Sequence, residues 1–143
     1  MNKNFCITVI DGQGGKIGRE LVERIKIRLP EAEITAIGTN TVATAAMMKA
    51  GADFAATGEN AVKVAARKTD VIIGPIGIII ADALLGEITP DGAVSVAQSK
   101  AKKILIPINK CGVTVAGIGA AQLSDLINSA VDEAASLFSE NKQ

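Results

Sequence analysis

Ile7-Thr8-Val9-Ile10-Asp11-Gly12-Gln13-Gly14-Gly15-Lys16-Ile17-Gly18 is an apolar strand that ends in an acid and opens into a glycine-rich turn. A helical pattern follows at once, with Ile17, Leu21, Ile25 and Leu29 at i+4 spacing until Pro30 ends it. Strand, glycine turn and helix in that order form a phosphate-binding corner. Glycine lets the backbone approach an anion, and the free N–H groups and dipole of the helix face it.

The same alternation runs through the rest of the chain. Strands are expected at residues 4–11, 33–38, 53–57, 70–74 and 103–108, with 113–116 as a further candidate. Helices are expected at about 16–29, 41–50, 60–68 and 120–138. Another begins near Ile78, breaks around Thr89-Pro90 and resumes over 93–101. Alternating strands and helices with nearly continuous apolar strands predict a three-layer α/β/α fold, Rossmann-like or flavodoxin-like, with a mostly parallel sheet. The 143 residues carry no linker or internal repeat, so one domain, residues 1–143, accounts for the chain.

Composition narrows the chemistry. Fifteen basic and fifteen acidic residues cancel, and Phe5, Phe54 and Phe138 are the only aromatics. Nucleic-acid binding is therefore not expected, since it needs a concentrated basic surface or stacking platforms. The absence of histidine excludes Ser-His-Asp and Cys-His catalysis and histidine metal sites, and no metal is expected. The absence of tyrosine excludes the Tyr-Lys relay of short-chain dehydrogenases. Cys6 and Cys111 form no C-x-x-C pair and no secretory signal precedes Lys3, which points to a reduced, cytoplasmic protein. The apolar run from Val71 to Ala81 falls short of the ~20 residues of a membrane span.

In an open parallel sheet, ligands bind beyond the carboxyl ends of the strands. The residues expected there are Asp11, Gly12, Gln13, Gly14 and Gly15 after strand one, and Thr39 and Asn40 after strand two. Thr57, Glu59 and Asn60 follow strand three, Gly74, Pro75 and Gly77 follow strand four, and Asn109 follows strand five. These are the candidate cofactor-binding residues.

The glycine corner reads G-x-G-G-x-x-G, with Ile17 where the third glycine of a dinucleotide fingerprint belongs. It is not a P-loop, because Ile17 rather than Ser or Thr follows Lys16. Lys16 suits either a phosphate or solvent. Strand two ends without the acid that holds an NAD ribose. Thr39 and Asn40 suit a phosphate, which points to NADP or flavin mononucleotide, and equally a plain helix cap. Glu59 is the best-placed general base, or simply a favourable carboxylate at a helix N-terminus. No catalytic residue is assigned.

Asp82 and Glu87 flank Leu84-Leu85 inside an apolar segment. Ile78–Leu85 covers too many helix faces for a solvent-facing element, so a homodimer or larger assembly through that region is expected. Two further readings stand beside a cofactor-binding protein. One is a non-catalytic nucleotide or metabolite sensor; the other is an oligomeric scaffold in which the glycine corners are only turns.

The chain resembles a family of small bacterial proteins classed only as a domain of unknown function. The resemblance rests on Ile10-Asp11-Gly12-Gln13-Gly14-Gly15, Gly38-Thr39-Asn40, Thr57-Gly58-Glu59-Asn60, residues 74–90 and Leu105-Ile106-Pro107-Ile108-Asn109. It covers nearly the whole chain and implies a Rossmann-like fold with no assigned activity. Residues 70–109 also look like the second half of the flavin-binding decarboxylase fold, through Pro75 and Pro107-Ile108-Asn109. The glycine corner with Asn40 and Gly58 is similar to the nucleotide half of tubulin-like GTPases, without their later glycine-threonine loop.

Overall fold

A computed structural model describes residues 4–108 and 112–143. Its strands are β1 (Cys6–Asp11), β2 (Glu33–Gly38), β3 (Phe54–Thr57), β4 (Val71–Pro75) and β5 (Lys102–Ile106). Its helices are α1 (Lys16–Arg28), α2 (Thr41–Lys49), α3 (Glu59–Ala66), α4 (Pro90–Gln98) and α5 (Leu123–Asn141). The sheet order is β3-β2-β1-β4-β5 and every pairing is parallel. These are the first five positions of the Rossmann order 3-2-1-4-5-6, not the flavodoxin order 2-1-3-4-5. Strand order reverses beside β1, so the crevice between the ends of β1 and β4 is the expected ligand position.

Side chains alternate between the two faces of each strand. Ile7, Val9, Ile34, Ala36, Val71 and Ile73 pack against α1, α2 and α5 through Leu21, Ile25, Met47, Ile127 and Ala134. Ile10, Ile37 and Ile72 face the other way and meet Val62 and Ala65 of α3 and Val96 of α4. Both faces of the central strands are thereby covered, which is why β1 and β4 read as nearly continuous apolar runs.

Three expectations are corrected. Residues 78–89 do not start a helix that resumes at 93. A short 3-10 turn, Ile76–Ile79, is followed by turns, and α4 begins at Pro90. Thr89 is its N-cap, accepting from the Gly92 N–H at 3.0 Å, and proline at the first helical position sets the start. Residues 113–116 form no strand. Gly112, Gly117 and Gly119 around them have φ of 68°, 88° and 65°, turn conformations that interrupt an extended run.

The third concerns the premise for the expected interface. Ile78, Ala83, Leu84 and Ile88 are buried within this chain, in the core beneath α3 and α4. Turns rather than a helix let the segment direct most of its apolar side chains inward, leaving Ile79 and Ile80 half-buried and Ala81 and Leu85, the latter 97% exposed, outward. What falls is the premise, a helix apolar on too many faces, because most of the segment's apolar side chains are taken up by the core of this chain. Among the described residues, no helix is long and apolar enough to cross a membrane.

Candidate functional site

The glycine corner is built around a carboxylate of its own. Asp11, at the tip of β1 and buried, accepts the N–H of Gly12 at 2.8 Å and that of Gly18, in the first turn of α1, at 2.7 Å. It therefore caps α1 from inside, satisfying donors that an external anion would otherwise use. Gly18 also explains the shifted fingerprint. A Cβ there would lie 2.5 Å from Met47 Sδ and 2.9 Å from the Asp11 Cβ. The close helix–sheet packing assigned to a third glycine thus falls one residue later than expected, at Gly18 rather than position 17.

A second carboxylate closes the corner from outside. Glu87 Oε1 accepts three hydrogen bonds: from Gln13 N–H at 2.9 Å, from Thr39 Oγ1 at 2.7 Å and from Asn40 Nδ2 at 2.7 Å. The donors come from the turns after β1 and β2, and they converge on one oxygen. Asn40 Nδ2 also donates to the Gln13 carbonyl at 2.9 Å, tying the two turns together, while its Oδ1 caps α2 by accepting from Ala43 N–H at 2.8 Å. Burial pushes the Glu87 carboxyl up, but the three hydrogen bonds outweigh it and hold the group below the ordinary glutamate range. Among the described residues no lysine or arginine pairs with it.

Glu87 sits on a strap, residues 80–88, between the 3-10 turn and α4. Asp82 N–H donates to the Ile88 carbonyl at 2.7 Å and Ile88 N–H to the Ala83 carbonyl at 3.1 Å, closing the loop on itself. Asp82, Leu84 and Leu85 have φ of 66°, 56° and 56°, a left-handed conformation uncommon for such side chains. The strap lies directly on Gly12. A Cβ at that position would be 2.5 Å from Thr39 Oγ1 and 2.9 Å from both Glu87 Oε1 and Leu84 Cδ1. Gly12 is therefore needed for the approach of the strap. Gly14, by contrast, has nothing within 4 Å of where a Cβ would stand.

The other expected residues divide. Thr57 Oγ1 lies 2.6 Å from Thr44 Oγ1, and Thr44 donates to the Asn40 carbonyl at 3.0 Å, so the end of β3 is linked to the same network. Glu59 accepts from Thr89 Oγ1 and pairs with Lys63 at 3.7 Å, in the first turn of α3. Asn60 is exposed beside it, and Lys16 and Gly14 are exposed on the first corner, where Gly15 is buried. Gly74, Pro75 and Gly77 are buried. Gly74 has no space for a Cβ because the Ile10 carbonyl occupies it, so its smallness serves the β1–β4 contact. Asn109 and Cys111 lie outside the described residues.

A small cavity of about 130 Å³ opens beside the strap. Its walls are Ile10, Val62, Ile78, Ile88 and Val96, and Thr39, Glu59, Glu87 and Thr89 supply its polar groups. Glu87, Thr89 and Thr44 were not among the expected site residues. The signal for Glu87 was its place, with Asp82, as one of two acids in an otherwise largely apolar segment. Among the described residues no three His, Cys, Asp or Glu side chains are grouped to hold a metal ion.

The parallel sheet in the order 3-2-1-4-5, with a glycine corner at the tip of β1, defines a Rossmann-like domain. Residues 6–139 match the domain-of-unknown-function family DUF3842, and the chain belongs to that family. Comparison with curated proteins finds no match.

Among solved structures, the chain is similar to a nucleoside-diphosphate-sugar epimerase from Pseudomonas aeruginosa. That match has 12% identity and a TM-score of 0.48, over 92% of this chain and 47% of the other. A probable oxidoreductase from Mycobacterium abscessus matches with 19% identity and a TM-score of 0.49, over 98% of this chain and 44% of the other. A dodecameric FMN-dependent UbiX-like decarboxylase from Escherichia coli matches with 15% identity and a TM-score of 0.44, over 94% of each chain. The chain spans about half the length of the first two.

Proposed function

We propose that this domain is a cytoplasmic protein that binds an anionic, nucleotide-type small molecule, NADP or flavin mononucleotide, at the carboxyl rim of its sheet. The observation that carries the reading is the convergence of Gln13 N–H, Thr39 Oγ1 and Asn40 Nδ2 on a single oxygen position, all within 2.7–2.9 Å. Three donors from two separate turns, next to the N-terminus of α2, suit an oxygen of a phosphate group. In this reading Gly14 lets the ligand approach the backbone, and Thr57 and Asn60 extend the polar rim toward β3. Gly12, Gly15, Gly74, Pro75 and Gly77 shape the corners, and Asp11 holds the first of them. Asn109 is proposed for the same rim on its sequence position alone.

A non-catalytic sensor of the same ligand is the second reading. Asp11 is committed to two backbone N–H groups, and Glu59 is engaged by Thr89 and Lys63. Neither is poised as a free general base, so any reaction would rest on the cofactor.

A thermal-shift panel of NAD, NADP, FMN, ATP and GTP tests the reading. A ligand at 100 times its dissociation constant stabilises the folded state by about 2.7 kcal/mol, a clear rise in melting temperature. NADP or FMN is expected to give it. No shift with any of the five overturns the proposal.

A further inference from the structure

We infer that the strap of residues 80–88 is a built-in competitor for the rim site: the Glu87 carboxylate occupies the place of a ligand phosphate, and the ligand binds by displacing it. The inference rests on the reading of the rim as a nucleotide-type site. It concerns how access to that site is controlled.

Three independent features agree. The first is chemical. Gln13 N–H, Thr39 Oγ1 and Asn40 Nδ2 are the donors that a phosphate oxygen would use, and Glu87 Oε1 takes all of them. A carboxylate oxygen and a phosphate oxygen are interchangeable acceptors for such donors, so only one can be held at a time.

The second feature is steric. Leu84 and Glu87 stand where a Cβ on Gly12 would be, so the strap covers the first glycine of the corner. With the strap in place, the space beside Thr39 and Glu87 is a cavity of about 130 Å³. Ligand sites for molecules of cofactor size run to about 300–1,000 Å³. A nucleotide seated at this position needs the strap to move, and the movement that makes room is the one that withdraws Glu87.

The third feature is conformational. Asp82, Leu84 and Leu85 hold left-handed backbone angles, and Leu85 points into solvent at 97% exposure. Such angles persist where surrounding contacts enforce them. Here the strap's own backbone hydrogen bonds hold the angles, and the Glu87 contact and the buried Leu84 seat the whole strap on the rim. The strap is thus poised between a closed form, latched by its own anion, and an open form in which the ligand supplies that anion.

The experiment is a calorimetric titration of the full chain and of Glu87→Gln with NADP and with FMN. Removing the charge weakens the internal competitor without removing the three donors. At least a tenfold tighter dissociation constant for Glu87→Gln than for the wild type is expected for the ligand that binds. Hydrogen exchange on the wild-type chain gives a second readout that does not depend on the variant folding. Amides of residues 80–88 are expected to exchange faster when that ligand is bound. Equal or weaker binding by Glu87→Gln, or slower exchange of the strap on ligand addition, overturns the displacement mechanism and leaves the rim site standing. Failure of both proteins to bind either ligand overturns the rim reading and the displacement with it.

Discussion

The Gln13 backbone N–H donates to the Glu87 carboxylate at 2.9 Å, joining the first glycine corner to a residue 74 positions later in the chain. Through this bond the connection between β4 and α4 reaches back across the sheet rim and closes the corner at β1. Thr39 and Asn40 add the turn after β2, so one carboxylate gathers the ends of two strands.

The strap contact makes Gly12 and Gly14 unequal. Gly12→Ala places a methyl group against Thr39, Glu87 and Leu84, all of which must move together. A loss of about 1–3 kcal/mol is expected, as for overpacking elsewhere. Gly14→Ala meets nothing and should change stability by less than about 0.5 kcal/mol. Urea unfolding midpoints of the two variants check the contrast, and equal losses would contradict the placement of the strap.

Asp11 makes a different prediction from a ligand-binding acid. Its carboxylate holds two backbone N–H groups while buried, and Asn offers only one oxygen to replace the pair. Asp11→Asn is expected to lose about 1.5–3 kcal/mol of stability, the range for a hydrogen bond to a charged group. Guanidinium unfolding of the variant measures it. An unchanged midpoint would show that the cap does not hold α1.

Glu87 and Asp53 both titrate below the ordinary range in the folded chain. For each, burial raises the value and hydrogen bonding outweighs it, from Gln13, Thr39 and Asn40 in one case and from Ile34 and Lys26 in the other. A carboxyl depressed by folding contributes stability that is present above its unfolded value, ordinarily about 4.3 for Glu and about 3.9 for Asp. That contribution is lost as pH falls through the folded value. Urea midpoints should therefore fall less steeply for Glu87→Gln than for the wild type as pH is lowered from neutral through that range. Parallel curves would mean that the three hydrogen bonds do not favour the charged form.

The layered fold was legible because its signals are local. Apolar runs at 7–10 and 71–73, the i+4 face of α1 and the Asn40 cap each mark an element within a few residues. Ile78-Ile79-Ile80 misled because burial in a turn and burial on a helix look alike in an apolar run. Val113–Ala116 misled because a β-branched pattern does not reveal the turn geometry of the flanking glycines. The candidate corners were found from their glycines and polar residues, but Asp11 and Glu87 took roles that spacing cannot show. A buried cap seven residues ahead, and an acid returning from across the sheet, depend on contacts that exist only once the strands have paired.

Asn40→Asp offers the sharpest view of the rim. The new side chain keeps the oxygen that caps α2 through Ala43, and it replaces the donor facing Glu87 with a like charge. The decisive measurement is a calorimetric titration of wild-type protein and Asn40→Asp with NADP and FMN. Saturable binding of one of them to the wild type, weakened at least tenfold in Asn40→Asp, is the expected result. Absence of binding, or binding indifferent to that substitution, would contradict it.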